Sequence, residues 1–181
     1  MAKKSNKTLP DVPKKGARLP SGGEINETVI AFLKDGLKKG LFEAVLVPVK
    51  VPSDESYAWV LTENEELLDR ANILPPIMPV QGAKAISSLT KHGEAVRKFA
   101  AVMRPCEIRA TVELNKLGQA ELGNIFLISV DCPGVMPLET YLEDPKKGAD
   151  TFVKAAKEGD TTVMRPFCQI GNYPGITAAD V

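Results

Sequence analysis

From residue 24 onward the apolar positions fall into two alternating periods. Ile25, Val29, Phe32, Leu33 and Leu37 recur at helical spacing, and Gly40 is placed to end that helix. Residues 43–50 (Glu-Ala-Val-Leu-Val-Pro-Val-Lys) read as a strand whose internal Pro48 predicts an edge position or a bulge. Residues 57–61 form a second short strand candidate. Thr62 and Glu65 make a T-x-x-E capping box that opens a helix to about Arg70. Pro75, Pro76 and Pro79 break the chain before another short helix near 82–90.

The pattern sharpens after residue 98. Lys98-Phe-Ala-Ala-Val-Met103 is a compact apolar strand, followed by Arg104-Pro-Cys-Glu-Ile-Arg109. Residues 106–117 read as a helix with Ile108, Val112, Leu114 and Leu117 on its apolar face and Gly118 at its end. Residues 124–130 (Asn-Ile-Phe-Leu-Ile-Ser-Val) are the next strand. A strand–helix–strand unit requires parallel strands joined by a right-handed crossover. Near-continuous apolar strands are those covered by helices on both faces. The predicted class is therefore α/β, with a mixed, mostly parallel sheet flanked by helices. Residues 24–163 form the α/β domain and 164–181 a cysteine-containing C-terminal segment.

Charge changes the picture at the N-terminus. The 23 Lys plus Arg balance the 23 Asp plus Glu. Within residues 1–20, however, Lys3, Lys4, Lys7, Lys14, Lys15 and Arg18 face Asp11 alone, a local charge of +5. With Pro10, Pro13, Pro20 and the Gly22-Gly23 pair, and almost nothing apolar, residues 1–23 read as a disordered basic arm. Such an arm is either a solvated tail or a dock for an acidic partner or nucleic acid. Zero net charge argues against a dedicated nucleic-acid surface. No run reaches the roughly 18–20 apolar residues of a membrane span. No apolar stretch follows the basic start as a secretory signal would need, so a cytoplasmic location is expected and the Asn6 and Asn26 glycosylation patterns carry no weight.

Candidate chemistry rests on the three cysteines. An odd number argues against a closed disulfide framework. Cys106 and Cys132 both follow C-terminal ends of the predicted parallel strands, so they share the sheet edge where α/β proteins bind ligands. A helix N-terminus at Cys106 would favour its thiolate, which is both a metal ligand and a nucleophile. Equally, each is a small hydrophobe, the ordinary state of a free cysteine. Cys168 begins a C-x-x-C spacing of the kind that holds iron–sulfur clusters, but the second position is Gly171. The single histidine, His92, excludes multi-histidine sites and lies in a Lys-His-Gly turn with no nucleophile elbow nearby, which disfavours a hydrolase. Arg104, Arg109 and Arg165 surround the cysteines and are candidates either for cofactor anions or for surface ion pairs.

Residues 61–134 resemble the beta subunits of coenzyme F420-reducing hydrogenases and F420-dependent formate dehydrogenases. The matching pieces are Thr62-Glu-Asn-Glu-Glu-Leu-Leu, Ser87-Ser-Leu-Thr, Met103-Arg-Pro-Cys-Glu-Ile-Arg-Ala110, Val112-Glu-Leu-Asn-Lys-Leu117 and Asp131-Cys-Pro-Gly. Residues 165–180 resemble the cysteine-containing segment that follows. The resemblance implies an electron-transfer subunit of the iron–sulfur flavoprotein type. Such a subunit passes electrons between the catalytic subunit of a hydrogenase-, formate-dehydrogenase- or heterodisulfide-reductase-type complex and a soluble carrier such as coenzyme F420. It implies Cys106, Cys132 and Cys168 as ligands of a 4Fe-4S cluster, with Gly171 where a fourth cysteine is expected, and it implies FAD. Asp131 is a candidate for the open position, and zinc is an alternative metal. Because this sequence ends at Val181, before the further domain of the family, the full flavin site is expected to be missing. Gly171 keeps a second expectation open: an assembly or binding module that retains the fold without a cluster.

Overall fold

The computed structural model describes residues 19–170. Of the basic arm read at 1–23, residues 1–18 lie outside those residues, as does the vacancy read at Gly171.

The strand–helix–strand unit forms as its apolar pattern requires. β3 (Phe99–Met103) is buried along its whole length, and the chain turns at Arg104 into α4 (Pro105–Lys116). Pro105 suits the first helical position, where its missing N–H would have had no partner. Gly118, with φ +66°, takes the left-handed turn that releases the chain toward β4 (Ile125–Ser129). β3 and β4 are parallel, in register from Phe99↔Ile125 to Met103↔Ser129. Upstream, α1 (Ile25–Lys38) leads into β1 (Ala44–Lys50), which is also parallel to β3. β2 (Tyr57–Thr62) folds back antiparallel on β1, giving the order β2-β1-β3-β4. The sheet is thus mixed and mostly parallel.

The two-residue period of the strands divides the core into two layers. Val45, Val47, Ala100, Val102 and Ile128 face α1 and α2 (Glu65–Asp69), where they pack with Val29, Leu33 and Leu68. Leu46, Ala101, Met103 and Leu127 face α3 (Gly82–Leu89) and α4, meeting Ile86 and Ile108. Burying one such aliphatic side chain fully contributes about 1.5–3 kcal/mol. A third cluster lies beyond the sheet's C-terminal edge. There Tyr141 of α5 (Leu138–Glu143) and Phe152 of α6 (Pro145–Glu158) pack with Tyr57, Ile77, Met136 and Met164. The short α7 (Pro166–Ile170) follows.

Three details differ from the sequence-based expectation. β1 is an interior strand, not an edge. Its pairing with β3 runs only from Ala44 to Leu46, so at Pro48 no neighbouring strand waits on that side. The Pro48 carbonyl instead accepts from the Asn72 N–H at 3.0 Å. A strand residue's N–H points the same way as its own carbonyl, so the missing donor costs the β1–β2 ladder nothing. The cap of α2 is Asn64, whose side-chain oxygen accepts from Glu66 N at 2.8 Å. Thr62 stands two residues upstream, accepting from Asn64 N at 3.0 Å in a turn of its own. Finally, α5 and α6 were not predicted. The start and stop of α6 are nonetheless in the sequence: Asp144 caps it, Pro145 opens it, and Gly159 ends it at φ +69°.

Candidate functional site

Cys106 is the second residue of α4, immediately beyond the end of β3, and is solvent-exposed. Cys132 follows β4 by three residues in the Asp131-Cys-Pro-Gly turn and is half-buried. Its sulfur accepts from the Gly134 N–H at 3.4 Å. Cys168 is carried to the same edge by α7. The Arg165 N–H donates to Val135 O at 2.7 Å and the Cys168 N–H to Arg165 O at 2.8 Å, which straps α7 to the turn after β4. Gly134, at φ +118°, makes the approach close: a Cβ built there would lie 2.9 Å from Met164 Cγ and 3.1 Å from Cys168 Cβ. Strand ends and one glycine contact thus bring three cysteines, distant in sequence, to one edge.

The thiols interact electrically. Burial pushes the Cys106 thiol up, and Glu107, Cys132 and Cys168 add to the rise against the lowering effect of Arg104. The Cys132 thiol is also raised, first by burial and then by Cys168 and Glu107; Arg104 and the Gly134 N–H oppose it. Desolvation of the inner side of Cys106 and the neighbouring negative charge thus oppose the gain in acidity expected from its helix N-terminus. A soft cation would reverse that balance by supplying the positive charge the thiols lack.

Behind the thiols lies a charged pair that is almost fully enclosed. Arg104 is 3% exposed and Glu107 2%. Glu107 Oε1 accepts from Gly82 N at 2.7 Å and Oε2 from Arg104 N at 3.0 Å. Burial raises the Glu107 carboxyl above its ordinary range, with Arg104 and the two N–H donors working against it. The Arg104 guanidinium donates to Pro75 O, while its buried Nε has no partner among the described residues. It borders a small cleft, lined also by Tyr57, Trp59, Pro75 and Ile77, with room for about one water molecule.

The other expected residues are placed as follows. Arg165 is half-buried and donates to Met78 O at 3.4 Å, so two of the three candidate arginines hold the 75–78 segment. Arg109 is half-buried further along α4, and Asp131 is exposed beside Cys132. His92 is exposed in the connection entering the N-terminal end of β3, away from the thiols. Sequence reasoning missed Glu107, although a Glu three positions after a helix start is a known capping signal.

The donor chemistry suits a thiophilic centre: soft thiolates select iron–sulfur clusters, zinc or copper(I). Among the described residues no three His, Cys, Asp or Glu side chains stand at metal-binding spacing, so the thiols converge without closing around one point. No helix among them is long and apolar enough to cross a membrane.

No family model matches the chain. Among curated proteins it is 32% identical over 122 residues to the F420-dependent formate dehydrogenase 1 subunit beta of Methanococcus maripaludis, covering 67% of this chain and 30% of the relative. It is 28% identical over 160 residues to the F420-dependent formate dehydrogenase subunit beta of Methanocaldococcus jannaschii, covering 78% of this chain and 40% of the relative. The chain therefore spans less than half the length of either.

Proposed function

Over about two thirds of its length the chain is a homologue of the F420-dependent formate dehydrogenase beta subunits, and from that premise we propose that it is an electron-transfer subunit of a formate-dehydrogenase- or hydrogenase-like complex. The observation that supports this most directly is the meeting of Cys106, Cys132 and Cys168 at the C-terminal edge of the parallel strands, each thiol within electrostatic reach of the other two. In this reading the three thiolates hold an iron–sulfur centre, and its fourth ligand comes from outside the trio. When bound, that centre would supply one-electron transfer between a catalytic subunit and a flavin held elsewhere in the complex, and the hydride step to a two-electron carrier such as coenzyme F420 would belong to that flavin.

The chain's own part is positional and electrostatic. The strand ends and the Gly134 contact hold the three thiols at one edge. Arg104, held by Pro75 O, lowers the cost of negative charge on Cys106 and Cys132, while Arg109 and Arg165 flank the site for an anionic group of a carrier or partner. FAD does not fit the one-water cleft beside Arg104, and electron transfer through this chain is proposed for the thiol-held centre alone.

Anaerobic purification followed by counts of iron, sulfide and zinc tests the reading. It expects iron and sulfide in stoichiometric amount, with a broad visible absorption that bleaches on reduction. Colourless protein, free of metal but still bound to its partner subunits, would support the assembly-module reading that Gly171 favours. Zinc alone would leave a structural thiolate site.

A further inference from the structure

We propose that Glu107 is the positioning residue of the thiol site, one carboxylate that caps two helices and thereby fixes where Cys106 stands relative to Cys132 and Cys168. The inference rests on the metal-site reading above and goes beyond it by assigning a residue that holds no metal.

The first N–H groups of a helix have no partner within the helix. α3 begins at Gly82 with Gln81 as its N-cap, and the Gln81 side chain makes no capping bond. Glu107 supplies the acceptor from another element, 2.7 Å from Gly82 N. Its second oxygen takes the N–H of Arg104, the N-cap of α4, at 3.0 Å. The bracket from Arg104 to Glu107 encloses Cys106, so closing it fixes the backbone from which that side chain leaves. The α3 end is equally constrained. A Cβ at Gly82 would lie 2.7 Å from Trp59 Cζ2 and 3.0 Å from Met103 Cε, so the helix start is wedged against β2 and β3.

Charge supports the same assignment. An isolated buried carboxylate is costly, and Glu107 is retained because two backbone donors and the Arg104 guanidinium offset that cost. An apolar residue would leave both N–H groups unpaired. Arg104 is meanwhile anchored on Pro75 O from the far side. The pair thus ties α3, α4 and the 75–78 segment together within electrostatic reach of Cys106 and Cys132.

The test is a double-mutant cycle read by cobalt. The reduced full-length chain is titrated anaerobically with Co²⁺, and the thiolate-to-cobalt absorption reports both affinity and the thiolates engaged. Glu107→Ala is expected to weaken Co²⁺ binding about 10-fold, the lower end of what loss of a ligand-orienting partner costs. In a Cys106→Ser background the same change is expected to have almost no further effect, because Glu107 acts through Cys106. Glu107→Gln keeps one acceptor and the side-chain shape, so it should fall between wild type and Ala; it carries the test if the Ala variant does not fold. Equal weakening in both backgrounds overturns the assignment, since a general structural loss would not depend on Cys106. Wild-type protein with no thiolate-to-cobalt band overturns the metal-site reading itself.

Discussion

Replacing Gly134 with alanine addresses the contact that brings the third cysteine to the site. The residue has φ +118°, a conformation side-chain-bearing residues rarely adopt, and holding one there costs about 1–3 kcal/mol. The added Cβ would also lie 2.9 Å from Met164 Cγ, the side chain of a residue that is 2% exposed, and 3.1 Å from Cys168 Cβ. Overpacking of this kind adds about 1–3 kcal/mol. Together they come to about 2–6 kcal/mol if the contact is kept, enough to lower the urea midpoint by about 1 M or more. The strain has one escape, which is for α7 to move away from the turn after β4. Stability then falls less, but Cys168 loses its cover. The assay is therefore paired: a urea melt, and site-resolved alkylation followed by mass spectrometry. Either the midpoint drops or Cys168 reacts as fast as the exposed Cys106. Wild-type stability together with wild-type protection of Cys168 would refute the claim that Gly134 seats α7.

Two further substitutions probe the surroundings. Gly82→Ala drives a Cβ to 2.7 Å from Trp59 Cζ2; a loss of about 1–3 kcal/mol is expected, with a shift in the fluorescence of Trp59, the single tryptophan. Tyr141→Phe removes a buried hydroxyl that has no well-formed hydrogen bond among the described residues and interacts with Tyr57, so stability should stay within about 1 kcal/mol of wild type. In the wild-type protein the Tyr141 phenol is pushed up to about 12, first by burial and then by Tyr57. A raised acid stabilises the fold fully below its unfolded value, about 10, and that contribution is lost as pH climbs through the folded value. Alkaline titration at the tyrosinate absorption band should show one late ionisation that vanishes in Tyr141→Phe.

Much of the positional argument was legible because it depends on local pattern. The apolar runs at 98–103 and 124–130, with a helix between them, are enough to make two strands parallel and to put Cys106 and Cys132 on one edge. Pro48 misled because its rule concerns the unpaired N–H, and an interior strand that outruns its neighbour has an edge of its own. Thr62 misled because Asn64, two residues on, competes for the same cap. What could not be read was burial of charge. Nothing in Arg104-Pro-Cys-Glu distinguishes an arginine reaching a cofactor from one enclosed with Glu107 and fastened to Pro75, because Gly82 and Pro75 are joined to this segment only by the fold. The rise in thiol pKa has the same origin: a helix N-terminus is visible in sequence, but desolvation is not.

The central claim is that Cys106, Cys132 and Cys168 form one donor set. Iron and acid-labile sulfide counted per chain after anaerobic reconstitution, in wild type and in Cys106→Ser, Cys132→Ser and Cys168→Ser, tests it most directly. The account predicts a stoichiometric centre in wild type and loss or strong depletion of iron in each of the three variants. Undiminished iron in all three variants would contradict it.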